Sequence, residues 1–252
     1  MAVIDFSCIY MVWLRDTIRY FREKSQLYGS ITRPILWLFV LGMGLRGSYQ
    51  HTGNFNYTQF IFPGIVAMTI IFTSIQSAIT IIWDREFGFL KEILVAPVPR
   101  TSIAIGKGLA GTTLSLIQGG IILLLSPLVK VRFPLVHLVP IILVMILLSF
   151  ALTGIGIVIA ARMTSFQGFG TIMNFVIMPM WFLSGALFSP AGLPKWLNIL
   201  VRINPLSYGV DLLRRLILGL AYYPLWFDLV YLVVFSVIIT FAAVFFFNRG
   251  EY

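Results

Sequence analysis

Charge is scarce in this sequence. Of its 252 residues 11% are charged and only nine are Asp or Glu, whereas soluble domains carry about 25% charge. With 59% hydrophobic residues, that shortage excludes a water-soluble domain. Cysteine is nearly missing too. The lone Cys8 excludes an internal disulfide and a multi-cysteine metal site. It lies too near the start, with no apolar run before it, to be a lipidated cysteine, and no cleavable signal peptide is expected. The two histidines, His51 and His137, fall on different loops with no Cys or carboxylate at ligand spacing, so no metal is expected. A P-loop is missing as well: Gly106-Lys107 lacks the first glycine and is followed by Gly108. No span holds an acidic residue near its middle, which argues against an ion-coupled carrier. No catalytic apparatus is visible and no cofactor is expected on this chain.

Long apolar runs are abundant. They predict an all-α integral membrane protein, residues 1–252 forming one transmembrane domain. Six spans of about 20 residues fit, at 28–45, 60–83, 103–125, 135–161, 169–188 and 225–247. The formal net charge of +9 comes from Lys and Arg that flank these runs, as topology signals do. No nucleic-acid partner is expected. Six spans put both termini on one side, and the basic excess makes that side cytoplasmic. The expected location is the cell (inner or plasma) membrane, multi-pass.

Residues 84–100 interrupt the apolar runs with a charged helical island. Asp84, Arg85, Glu86, Lys91 and Glu92 fall within it. At 100° per residue Phe87, Phe89, Leu90, Ile93 and Leu94 share one side, the charges except Glu86 share the other, and Pro97 and Pro99 stop the helix. This peg, roughly 20 Å long, is expected to take force from a soluble partner. Residues 1–27 form a second amphipathic helix at the membrane surface, with Phe6, Tyr10, Trp13 and Phe21 on its apolar face and Arg15, Asp16, Arg19 and Arg22 on a narrow arc. It serves as an anchor, as a second contact for the cytoplasmic partner, or as both.

Within residues 28–83, Thr69, Thr73, Gln76, Ser77 and Thr80 form a polar stripe that should face protein or water. Within 101–188, Gly111, Ser115 and Gly119 form a small-residue ridge for close helix packing. Residues 189–224 read as two short helices, 193–203 and 207–216, too apolar for water and too short to cross. A re-entrant hairpin on the outer side accommodates both; a solvated loop with Asp211 paired to Arg214 and Arg215 is the other reading. Residues 225–252 hold the last span and a cytoplasmic tail.

Three stretches carry a family resemblance. Asp84-Arg85-Glu86-Phe87-Gly88-Phe89-Leu90-Lys91-Glu92-Ile93-Leu94-Val95-Ala96-Pro97, followed by Gly106-Lys107, resembles the coupling segment of type-2 ABC exporter permeases, in the branch of drug-resistance and nodulation-factor export. It departs at Asp84 for Glu, Phe89 for Thr and Lys91 for Glu. Phe182-Leu183-Ser184-Gly185 with Leu193-Pro194, and Asn204-Pro205-Leu206-Ser207-Tyr208 with Asp211-Leu212-Leu213-Arg214, resemble two further stretches of that family. The resemblance implies two permeases, expected as a homodimer, working with two cytoplasmic ABC ATPase subunits that bind ATP and Mg. It implies docking through Asp84, Arg85, Glu86, Phe87, Leu90, Lys91 and Glu92, with Arg15, Arg19 and Arg22 nearby. It also implies an outer gate of Trp196, Asn204, Pro205, Tyr208, Asp211 and Arg214. Met43, Met68, Phe72, Thr73, Gln76, Asn174, Met178 and Trp181 are candidates for the substrate path, and serve equally as packing or lipid contacts. Lipophilic drug-like or lipid-like cargo, a polysaccharide, and a lipid-linked glycan all stay open. So do a non-transporting scaffold and a channel.

Overall fold

The computed structural model describes residues 4–44, 55–88 and 98–249, and the chain is helical throughout them apart from turns. Helix α1 (Phe6–Arg22) starts where the Asp5 side chain accepts from the backbone of Ser7 and Cys8 at 2.9 and 3.3 Å, which satisfies donors that the first helical turn leaves free. After α2 (Lys24–Gly44) come α3 (Tyr57–Ser77) and α4 (Ile79–Glu86), separated only at Ala78. Helix α5 (Arg100–Leu124) leads through two short 3-10 turns to α6 (Leu138–Ala160). Helices α7 (Phe166–Phe182), α8 (Lys195–Ile203), α9 (Pro205–Leu218) and α10 (Leu225–Arg249) complete the order.

Among the described residues five stretches are long and apolar enough to cross a bilayer: Leu27–Gly44, Tyr57–Glu86, Arg100–Leu124, Leu135–Ala160 and Leu225–Asn248. The stretch expected to span at 169–188 is different. Its helix, α7, has 17 residues, about 25 Å at 1.5 Å per residue, short of a hydrocarbon core of about 30 Å. Leu183–Gly185 leaves the helix in a turn, with Gly185 at φ +70°.

Helix α3 is the axis of the molecule, buried along its inner length from Phe60 to Ile75. Most of its circumference is apolar, as suits a helix enclosed by others. Helices α5, α6 and α9 pack around it, while α2 and α10 lie outside with most of their surface open. The expected ridge on α5 makes the close contact. A Cβ on Gly111 would lie 2.3 Å from Ser77 Oγ and 2.6 Å from Thr153 Cγ2, so only glycine admits α3 and α6 together there. The polar stripe on α3 and α4 also faces protein: Thr73 donates to Gln118 at 2.6 Å and Ser74 Oγ lies 2.7 Å from Ser115 Oγ.

In the stretch 189–224 only one of the two helices is buried. Helix α9 is enclosed by α3, α6 and α10. Helix α8 lies on the surface and leaves Trp196, Ile199 and Ile203 exposed, because its apolar residues form one side with Asn198 and Arg202 on the other.

Candidate functional site

The charged island does not begin a separate helix. Asp84, Arg85 and Glu86 are the last turn of α4, the continuation of the second span. Phe87 closes that helix and Gly88, at φ +74°, turns the chain out of it. Leu90, Lys91 and Glu92, with the expected peg over 89–97, lie outside the described residues. The described part of the island divides by direction. Glu86 and Phe87 point outward, Phe87 being 78% exposed. Arg85 folds back and donates to the carbonyls of Met163 and Ala161. Asp84 turns inward and is buried.

Asp84 belongs to a cluster of charges joining three helices. Lys107, on α5, places its Nζ 2.7 Å from Asp84 Oδ2 and 3.0 Å from Asp16 Oδ2, and all three side chains are nearly inaccessible. Arg15, on α1, bridges the same carboxylates at 2.8 Å to Asp16 and 2.6 Å to Asp84. Arg19 approaches Asp84 at 3.7 Å and covers the Trp83 ring at 4.0 Å. Thr80 completes the arrangement, accepting from Lys107 at 3.1 Å. Burial alone would raise the Asp16 carboxyl, but Lys107 and Arg15 outweigh it and hold Asp16 below the usual carboxylate range. Burial likewise works against the Arg15 guanidinium, and the two carboxylates lift it above its ordinary value.

Gly106 is what lets α1 reach this position. A Cβ there would lie 2.9 Å from Val12 Cβ and 3.0 Å from the Ile9 carbonyl. Two further bonds pin α1 along α5, from Asp5 N to Ser102 Oγ at 2.7 Å and from Trp13 Nε1 to Thr113 Oγ1 at 2.9 Å. Of the N-terminal arginines only Arg22 is exposed; Arg15 and Arg19 are largely committed to the cluster.

Two neighbouring cavities lie beside α3, the first of them against the cluster. One, about 180 Å³, lies between α1, the α3–α4 junction and α5 and reaches Asp16, Arg19 and Lys107. The other, about 130 Å³, lies between α2 and α3. Tyr20, Gln76 and Ser77 line both. Met68, Phe72, Thr73 and Gln76 of the expected substrate path therefore come together on the second cavity. The other four do not join them. Met43 is exposed at the far end of α2, and Asn174 is exposed on α7. Met178 packs against the core. Trp181 is fully buried, its Nε1 3.3 Å from the Gly64 carbonyl and its ring 5.3 Å from that of Trp37.

At the opposite end the expected gate residues form a brace, apart from exposed Trp196. Asn204 caps α9 through the Leu206 N–H and donates to the Met180 carbonyl at 2.6 Å, with Pro205 in the first turn. Tyr208 donates to the Arg202 carbonyl at 2.5 Å. Asp211 accepts from the backbone of Tyr222 and Tyr223 at 3.0–3.2 Å and lies 4.0 Å from Arg215. Arg214 donates to the Gly185 carbonyl at 2.6 Å and sits over the Phe60 ring. Asp16 and Lys107 were absent from the candidates drawn from the sequence. The readable signal was Lys107 itself, a lysine inside an apolar run that must find a carboxylate.

The chain belongs to the ABC-2 type transporter family, whose model matches residues 7–218. It is 31% identical over 199 residues to the putative transport permease ycf38 of Cyanophora paradoxa, covering 77% of this chain and 69% of that one. It is 29% identical over 213 residues to nodulation protein J of Rhizobium leguminosarum bv. trifolii, covering 82% and 80%. Similarity to the inner membrane transport permease YadH of Escherichia coli K12 is 26% over 228 residues, covering 90% and 89%. The chain is accordingly a multi-pass membrane subunit of an ABC transporter, a permease component and not an ATPase, whose family works with an ABC ATPase subunit.

Proposed function

We propose that this permease exports lipophilic, drug-like or lipid-like molecules from the cytoplasm or the inner leaflet. Two copies of a cytoplasmic ABC ATPase, holding ATP and Mg, would drive it, and a second copy of this chain would complete the path. The observation that carries the reading is the Asp16–Asp84–Lys107 cluster. It fastens α1, α4 and α5 to one another directly behind the outward-pointing Glu86 and Phe87. A push received at Glu86–Phe87 and the following turn enters α4 along its axis. Because Asp84 is held from α1 and α5, the three helices shift together and α4 is not bent alone. The cavities beside α3 lie against this block, so its displacement changes their shape and opens or closes them. Their mix of Met68, Phe72 and Pro34 with hydroxyl and amide groups suits a mainly apolar cargo with a polar end.

The test is co-purification with the cognate ATPase subunit followed by ATPase rates in lipid, for the wild type and a Glu86→Ala, Phe87→Ala pair. Loss of an exposed aromatic anchor typically costs about tenfold or more in affinity, so the pair should weaken the complex by that factor and leave the permease folded. Failure of well-folded wild-type protein to bind any ABC ATPase would sink the exporter reading in favour of a scaffold or channel. A complex unchanged in the pair would remove these two residues from the docking surface.

A further inference from the structure

Among the polar groups that line the cavity between α2 and α3, most are already satisfied. Tyr20 Oη lies 3.0 Å from Ser30 Oγ, and Gln118 donates to both. Thr73 bonds Gln118, Thr69 bonds the Ile65 carbonyl and Ser77 bonds the Ser74 carbonyl. Two groups are different. Among the described residues Arg33 has no hydrogen bond or carboxylate, its contact being the face of Phe72 at 4.7 Å. Gln76, facing it from α3, has no hydrogen-bond partner among them either and is exposed to the cavity.

Arg33 stands six residues inside the span that starts at Leu27, roughly 9 Å along the axis. Its side chain is exposed, and a guanidinium within an apolar stretch is drawn to an anion or to the headgroups. Its fork of donors matches a phosphate or carboxylate in the bidentate manner. A carboxamide opposite adds a further donor. Pro34, Met68 and Phe72 make the rest of the wall apolar.

We propose that this cavity binds the headgroup of an anionic amphiphile, its phosphate or carboxylate held by Arg33 and Gln76 and its chain laid along Met68 and Phe72. The proposal rests on the exporter reading and narrows its cargo to molecules with a negative end. The fixed hydrogen bonds of Tyr20, Ser30 and Gln118 form the floor beneath the headgroup and need no rearrangement for it to enter.

Binding is measured on the purified full-length chain without nucleotide, so its outcome is independent of ATPase coupling. Delipidated protein is titrated with phosphatidylglycerol and with phosphatidylcholine, and retained lipid is counted by native mass spectrometry. The wild type should retain the anionic lipid about tenfold or more in preference to the neutral one, the size expected of a charged hydrogen bond. Arg33→Gln should abolish that preference and Gln76→Leu should reduce it. Arg132→Gln, which removes an exposed arginine far from the cavity, should preserve it and so controls for general charge. Inorganic phosphate at ten millimolar, tested in parallel, should not displace the lipid. Displacement would reassign the site to water-borne anions and overturn the amphiphile. A folded Arg33→Gln that keeps the wild-type preference would show that Arg33 only reaches for the interface, and would overturn the site.

Discussion

Lys107 is the residue on which the charge cluster depends most. It is the inner cation between two buried carboxylates, whereas Arg15 reaches both carboxylates and Arg19 reaches Asp84 from partly exposed positions. Removing one member of a buried ion pair leaves the other charge uncompensated, at a cost of about 3–5 kcal/mol. Because Arg15 stays in place, Lys107→Met should cost about 3 kcal/mol, seen as a lowered melting temperature in detergent. The same variant has an acid signature. Asp16 is held below its usual range in the folded protein, so its stabilisation is full above about pH 4 and is lost as pH falls through the lower folded-state value. In Lys107→Met the folded-state carboxyl rises and that acid-side loss shrinks. Equal acid sensitivity in the two proteins would place the charge balance elsewhere. The sequence showed each of these charges but not their meeting. Asp16 and Lys107 are 91 positions apart, and a helical wheel of α1 assigns Asp16 to a solvated arc because it contains no information about which side α5 covers.

Elements were more legible than their boundaries. The length and composition of the apolar runs gave α2, α3, α5, α6 and α10, and the Gly111 ridge gave a contact before any partner helix was known. What was misread turns on local stops. Asp84–Glu86 match the following run in charge, yet they belong to the helix that begins at Ile79 and ends at Glu86, with Gly88 turning the chain out of it. The span expected at 169–188 was overextended because Leu183–Ala186 is apolar enough to look helical, whereas its backbone turns to present the Gly185 carbonyl to Arg214. Helix contact also supplies a prediction specific to α5. Added Cβ atoms at Gly106 and Gly111 meet neighbouring atoms below 3.0 Å, while one at Gly120 meets nothing within 4 Å. Overpacking costs about 1–3 kcal/mol. Gly106→Ala and Gly111→Ala should therefore lower the melting temperature, and Gly120→Ala should leave it unchanged or slightly raised. If Gly106→Ala matched Gly120→Ala, the tight seating of α1 on α5 would be wrong.

At the scale of the whole molecule the helices run between two unlike ends. One gathers Arg15, Arg19, Arg85, Arg100 and Lys107, cross-linked by bonds such as Arg100 to the Asn248 carbonyl at 2.9 Å and Arg162 over the Phe246 ring. The other is braced through backbone carbonyls, with Gln59 donating to Lys130 O, Tyr57 donating to Leu187 O, and His137 Nδ1 lying 2.8 Å from Leu216 O. Basic residues accumulate on the cytoplasmic side of short loops, and on that ground we propose the first end as the inner one. Phe87 and Trp196 are exposed at opposite ends, 78% and 65%, and so report orientation directly. In a Cys8→Ser background, Phe87→Cys should react with a membrane-impermeant maleimide only in inverted vesicles, and Trp196→Cys only in intact cells. The background matters little in practice. Burial and the nearby Asp5 push the Cys8 thiol above its ordinary value, leaving little thiolate to compete at neutral pH. The reverse labelling pattern would place the charge cluster outside, where no ATPase could reach Phe87, and the export mechanism would fall with it.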